Sequence, residues 1–338
     1  MSKPRALLAL AGVATGVAAE HVLLARRRRR DPEAHERFGA RRGVRARTIA
    51  LPDGARLYVE ESGRRRKRGA VFVHGSALRT DVWHYQMTGV GGHRLVFFDL
   101  RGHGRSRPRG SAPYSVETLT QDLEAVIEEA GLSEVVIVGH SLGGMVALHL
   151  CRSRRADLGS VIKGIVLLNT THKPPVETIA GGTAVAHFER VMRRPFDTVG
   201  AHSHRIDGLR RIVKPSDALF WGVTLSAFGT GASAAQVDFI YDMLADTPSS
   251  LIFELFRTYR DFDVADAMAD LALPALVLAG SRDRITIPDA SRRIAEHMPK
   301  AELKVLDGCG HLIMLERHRE FNTMLESFLN DTLGRPTR

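Results

Sequence analysis

A chain of 338 residues, 44% hydrophobic and 25% charged, has room for one large domain with an insertion or for two small ones, and it falls outside the disordered and collagen-like classes. Two cysteines, Cys151 and Cys309, with no C-x-x-C and no ligand-like His/Cys spacing, argue against a disulfide framework and give no ground for a metal or a cofactor. The formal net charge of +10 is confined to the N-terminal segment: residues 1–68 hold 18 Lys/Arg against 7 Asp/Glu, leaving 30 against 31 in the rest, and no recognition helix, RNP signature or zinc finger makes a nucleic-acid binder of it.

Residues 6–25 form a mostly apolar stretch closed by Arg26–Arg30. Twenty helical residues span about 30 Å, the thickness of a bilayer's hydrocarbon core. The stretch is expected to associate with a membrane as an uncleaved anchor, its arginines and the body on the cytoplasmic side. A signal peptide cut near Val17-Ala18-Ala19, giving a secreted protein, and a helix lying on the body are the alternatives. Residues 31–43 are charged and lack an apolar pattern, so they read as a linker that ends an N-terminal region, 1–43. Removing that region is expected to leave folding intact.

From residue 44 to 333 the pattern is that of one domain. Ala46–Leu51 and Arg56–Glu60 alternate around Pro52-Asp53-Gly54, a β-hairpin. The runs Ala70–Val73, Leu95–Phe98, Val135–Val138, Ile165–Leu168 and Ala275–Ala279 are continuous and apolar, as strands buried on both faces are. Helical patterns follow at Val116–Ala130, Leu142–Arg154, Ser291–Met298 and His318–Leu333. The alternation predicts an α/β fold, a mostly parallel central sheet flanked by helices. It breaks at about 171–260, where aromatics and helix-like segments suggest a helical cap over the carboxyl ends of the strands.

Gly139-His140-Ser141-Leu142-Gly143 is a G-x-S-x-G pattern placed between the strand Val135–Val138 and the helix that opens at Leu142, the strand–turn–helix setting of a nucleophile elbow. A serine hydroxyl needs a base to take its proton and an acid to orient that base. Asp283 directly follows the strand Ala275–Ala279, and His311 follows the predicted strand Leu303–Leu306. Both therefore fall on the rim of the sheet that carries the serine.

With His74-Gly75-Ser76, Asp99-Leu100-Arg101-Gly102-His103-Gly104-Arg105-Ser106 and Pro274–Gly280 added, residues 69–333 resemble the α/β-hydrolase superfamily, in its serine-nucleophile branch of esterases, lipases and haloperoxidase-like enzymes. The resemblance implies an α/β-hydrolase fold with Ser141 as nucleophile, His311 as general base and then acid, and Asp283 as its orienting acid. It places an oxyanion hole at the backbone N–H groups of Leu142 and Ser76, with Ala77 as the alternative to Ser76. His74, Asp99 and His103 are expected to fix loops, His140 to line the site, and Cys309 to pack. Haloalkane dehalogenases and epoxide hydrolases carry an aspartate at the elbow, so serine implies acyl chemistry here. The expected partner is a small-molecule or lipid-like acyl substrate, cleaved by hydrolysis of a carboxylic ester or related acyl bond. Acyl transfer, haloperoxidase-like perhydrolysis and a catalytically silent binding protein are the alternatives. Phe188, Phe220, Trp221, Phe228, Phe239, Tyr241 and Met243 are candidate pocket residues, with ordinary cap core as the other reading of each.

Overall fold

The computed structural model describes residues 21–40, 44–108, 113–174, 217–260 and 262–335. β1 (Arg45–Ala50) and β2 (Arg56–Ser62) form the predicted hairpin, and the Asp53 carboxylate accepts the Ala55 N–H (2.9 Å) to close its turn. β3 (Arg68–Val73), β4 (Leu95–Phe98), β5 (Glu134–His140), β6 (Ile162–Leu168), β7 (Ala275–Gly280) and β8 (Ala301–Leu306) complete one sheet, in the order β1-β2-β4-β3-β5-β6-β7-β8. Only the β1/β2 and β2/β4 pairs are antiparallel. Because β4 lies between β2 and β3, the basic run from Arg64 is a connecting loop rather than a hairpin.

Helices cover both faces, which is why the central strands could be continuously apolar. On one face Val71, Val73, Val135 and Ile137 pack against α2 (Val116–Glu129) and α3 (Leu142–Ser153). On the other, Ala70, Phe72, Val136 and Val138 meet Trp83, which precedes α1 (His84–Gly89), and Phe321, Leu325 and Leu329 of α9 (His318–Leu333). α2 starts where the Ser115 hydroxyl accepts the Thr118 N–H (3.2 Å). α7 (Pro288–His297) begins three residues before the predicted Ser291, since Pro288 fits the first helical position, where no N–H is needed.

The cap lies between β6 and β7. Its described part contains α4 (Asp217–Ala227), α5 (Ala234–Asp246) and α6 (Ser249–Arg260); residues 175–216, with Phe188, lie outside the described residues. Phe220, Phe228 and Phe239 are buried in the hydrophobic cluster that joins the cap to one face of the sheet, and Trp221 and Tyr241 pack against that cluster. After the cap come β7, α7 and β8, then the short α8 (Ile313–Glu316) before α9.

The N-terminal arm departs from the linker reading. Residues 21–29 are helical and Leu24 is 1% exposed, packed into the same cluster as the cap. Arg27 and Arg28, expected at a membrane surface, bind the cap, and residues 31–38 hold both cap and core. Charged side chains in a run resemble a solvated linker whenever their partners lie far away in sequence. Residues 6–20 of the apolar stretch lie outside the described residues. Among the described residues, no helix is long and apolar enough to cross a membrane.

Candidate active site

Ser141 sits between β5 and α3 with φ 52° and ψ −118°, a backbone region that L residues avoid. Among the described residues, three non-glycine residues have positive φ: Ala77, Ser141 and Asn169. Such strain costs about 1–3 kcal/mol per residue and concentrates where a function requires it. The turn is tight enough to exclude side chains nearby. A Cβ on Gly143 would lie 2.0 Å from the Val73 carbonyl oxygen, and one on Gly139 would lie 2.5 Å from that of Gly143. Gly75 lies against both His140 and Ser141, so the loop after β3 covers the elbow at contact distance.

The structure brings the candidates Asp283 and His311 together. His311 Nδ1 donates to Asp283 Oδ2 at 2.8 Å, and both side chains are buried. Asp283 Oδ1 accepts the N–H groups of Ile285 (2.8 Å) and Thr286 (2.9 Å), which fixes the carboxylate's rotation. His140 lies beside the histidine, ring centroids 4.7 Å apart, and its Nε2 donates to the His311 carbonyl (2.9 Å). That bond ties the elbow to the histidine loop. Burial, with His311 nearby, holds the His140 imidazole well below its usual range, so it remains neutral.

The loop after β3 distinguishes the two oxyanion candidates. The Ala77 N–H donates to His103 Nε2 at 3.1 Å and is already committed. This leaves Ser76 as the candidate from that loop; Leu142 is the first residue of α3, where a helix leaves its amides unpaired. His74 Nε2 accepts the Leu100 N–H (3.0 Å) while Nδ1 donates to the Gly75 carbonyl (2.8 Å), so it braces the loop as a neutral ring. Asp99 accepts the N–H groups of Thr80 (2.6 Å) and Arg105 (2.8 Å). All three loop-fixing expectations agree with these bonds.

A pH dependence follows from His103. Burial pushes its imidazole from 6.5 down to about 4. The unfolded chain therefore takes up a proton that the folded chain refuses. Its contribution to stability is complete above pH 6.5 and is lost as pH falls toward 4, by about 1.4 kcal/mol per pH unit. Asp99, pushed up to about 7 by burial, acts in the opposite sense, so the difference between two proteins is the clean measure. His103→Gln keeps an acceptor for the Ala77 N–H and cannot titrate. Urea unfolding of the two proteins between pH 4.5 and 7 is expected to converge on acidification. A constant gap across that window would mean that His103 does not carry the effect.

Sequence reasoning missed Asn169 and Thr170, the pair that follows β6. Asn169 Nδ2 donates to the Gly310 carbonyl (3.1 Å), and its Oδ1 accepts the Gly280 N–H (2.8 Å). The Asn169 carbonyl accepts the Thr286 hydroxyl (3.2 Å), and the Thr170 hydroxyl donates to the Ser141 carbonyl (2.7 Å). Two adjacent residues thus fasten the loops of all three triad candidates. The one available signal was an Asn-Thr pair at the end of a buried strand, on the same rim as the elbow. Glu316 is a second missed residue: its carboxylate accepts the N–H groups of Gly310 (2.9 Å) and of Gly229 in the cap (2.7 Å).

A cavity of about 930 Å³ opens between the loop at Gly102–Pro108 and the cap, with Leu78, Arg105, Tyr114, Met243 and Leu251 in its wall. None of Ser141, Asp283 and His311 lines it, so it does not define an acyl pocket. Among the described residues, no His, Cys, Asp and Glu group is arranged to hold a metal ion.

Residues 70–323 match the model of the alpha/beta hydrolase family. The non-heme chloroperoxidase CPO-A1 of Kitasatospora aureofaciens is 30% identical over 294 residues, covering 82% of this chain and 97% of that protein. An esterase from Exiguobacterium antarcticum superposes with a TM-score of 0.66 at 20% identity, over 85% of this chain and 100% of its own. The enol-lactonase from Burkholderia xenovorans gives 0.66 at 20% identity, over 84% and 100%. At such identities the structural likeness speaks for the fold alone.

Proposed function

This chain belongs to the α/β-hydrolase family, and on that premise we propose that it is a serine hydrolase that cleaves a carboxylic ester or related acyl bond through an acyl-enzyme. Two observations carry the reading: the buried 2.8 Å bond from His311 Nδ1 to Asp283 Oδ2, and the serine held at φ 52° at the elbow. With Nδ1 committed to the carboxylate, the imidazole proton stays there and Nε2 keeps a lone pair. His311 takes the Ser141 proton as Oγ attacks the acyl carbon, and the oxygen that becomes negative is met by the N–H groups of Ser76 and Leu142. His311 then protonates the leaving alcohol, and water attacks the acyl-enzyme by the same route in reverse.

A fluorophosphonate probe tests the central claim, because only an activated serine reacts with it. The native protein is expected to be labelled at Ser141 and the Ser141→Ala protein to stay unlabelled. An unreactive native protein overturns the reading. A panel of acyl chains on one leaving group then ranks the substrates, with small and medium apolar acyl groups expected to lead.

A second reading has one observation in its favour, the likeness to a chloroperoxidase at 30% identity. There hydrogen peroxide replaces water at the acyl-enzyme and a peracid leaves. Peracid formation from acetate and peroxide, at a rate above ester hydrolysis, would favour it.

A further inference from the structure

The N-terminal arm lies ahead of the residues that match the family. Two of its side chains each grip the core and the cap at once. Glu33 Oε1 accepts the Tyr85 hydroxyl of α1 (2.7 Å), and Oε2 accepts the hydroxyl of Ser233 (2.6 Å), the N-cap residue of α5. Phe38 stacks on Phe239 of α5 at 4.7 Å between centroids and stands edge-on to Tyr85 at 5.8 Å. Neighbours on the arm add to the hold on the cap alone. Asp31 Oδ2 accepts the Ala235 N–H (2.8 Å) in the first turn of α5, where a carboxylate also meets the positive end of the helix dipole. Arg28 pairs with Asp238 through two bonds of 2.7 and 2.8 Å, and Arg27 donates to the Ala232 carbonyl (2.9 Å).

The stretch of cap held in this way is also the stretch that meets the catalytic histidine's loop. The Ala227 carbonyl, at the end of α4, accepts the His311 N–H at 2.8 Å, and the Thr230 N–H donates to the Gly308 carbonyl at 2.9 Å. A Cβ on Gly310 would lie 2.5 Å from the Gly229 nitrogen, so the two loops touch backbone to backbone. From Ala227 to Ser233 is a single short connection between α4 and α5. Whatever fixes the start of α5 therefore also fixes the seat of the cap on the His311 loop.

We propose that Glu33 and Phe38 are positioning residues for the active site: they pin the cap helices α4 and α5 against the His311 loop and so set how well longer acyl chains are held. The kinetic part rests on the serine-hydrolase reading; the clamp itself does not. A short acyl group can reach Ser141 with little help from the cap, whereas a long one depends on contacts remote from the reacting atoms.

The test uses the full chain with Glu33→Ala and Phe38→Ala combined, the milder Asp31→Ala, and Glu33→Gln as the conservative control. Glutamine keeps an oxygen for the Tyr85 hydroxyl and offers an N–H to the Ser233 hydroxyl. Amide hydrogen exchange over residues 217–246 is expected to quicken about tenfold or more in the double variant, to a lesser degree in Asp31→Ala, and to stay near native in Glu33→Gln. The strands should keep their protection. The kcat/KM for an octanoyl ester is expected to fall about tenfold, mainly through KM, while that for the acetyl ester moves less than about twofold. Unchanged exchange over the cap overturns the clamp. Faster exchange with equal losses on both esters overturns the positioning role. A native protein that turns over no ester refutes the hydrolase reading, and the exchange data still decide the clamp.

Discussion

Ser141→Ala is expected to lower ester turnover about 10⁴–10⁶-fold, the loss that follows when the nucleophile of such a triad is removed and only the binding and oxyanion groups remain. The fold should tolerate the change. Among the described residues, no hydrogen bond that holds the elbow uses the hydroxyl. The Ser141 N–H donates to the Leu168 carbonyl (3.0 Å), and its own carbonyl accepts the Gly144 N–H (2.9 Å) and the Thr170 hydroxyl (2.7 Å), all through the backbone. Alanine at φ 52° carries the same backbone strain as serine, so the melting temperature should move by no more than a few degrees. Steady-state kinetics on an activated ester, beside a thermal melt, separates chemistry from folding. A folded variant that retained more than a few per cent of the native rate would remove Ser141 from the mechanism.

The candidate site was legible because its residues lie where buried strands end. Gly139, Gly143 and Gly144 mark the elbow by the absence of side chains, since the neighbouring backbone and Thr170 leave no room for them. Asp283 and His311 were read by the same rule, as polar residues in the loops just beyond a strand. Asn169 and Thr170 obey that rule as well. Their work, however, is to fasten backbone carbonyls and amides of three other loops, and no spacing within the chain announces such partners. The arm was misread for a related reason. Asp31, Glu33 and Phe38 find their partners some 50 or 200 residues away, and a charge run shows its composition but not its pairings. The cap aromatics were ambiguous because an amphipathic cap helix and a pocket wall need the same side chains. Phe220, Phe228 and Phe239 are buried in the cluster that joins the cap to one face of the sheet.

Asp283→Asn is expected to cost about 10⁴-fold in kcat while the structure stays in place, because the change is one of proton position. Asp283 Oδ1 accepts the N–H groups of Ile285 and Thr286, two donors from which an amide nitrogen cannot accept. The asparagine must therefore keep its oxygen on that side and turn its nitrogen toward His311 Nδ1. At 2.8 Å two N–H groups cannot face each other, so the imidazole gives up its Nδ1 proton and carries it on Nε2 instead. A histidine protonated on Nε2 has no lone pair left for the Ser141 proton, and the imidazolium formed in the transition state has lost its carboxylate. The turn at Ile285 and Thr286 survives, so stability should fall far less than activity. Nitrogen-15 spectra of the His311 ring report the tautomer directly, and single-turnover kinetics report the rate. A switch of tautomer together with the rate loss assigns Asp283 the orienting role. A variant within about tenfold of native activity, or one that keeps the proton on Nδ1, would take that role away from it.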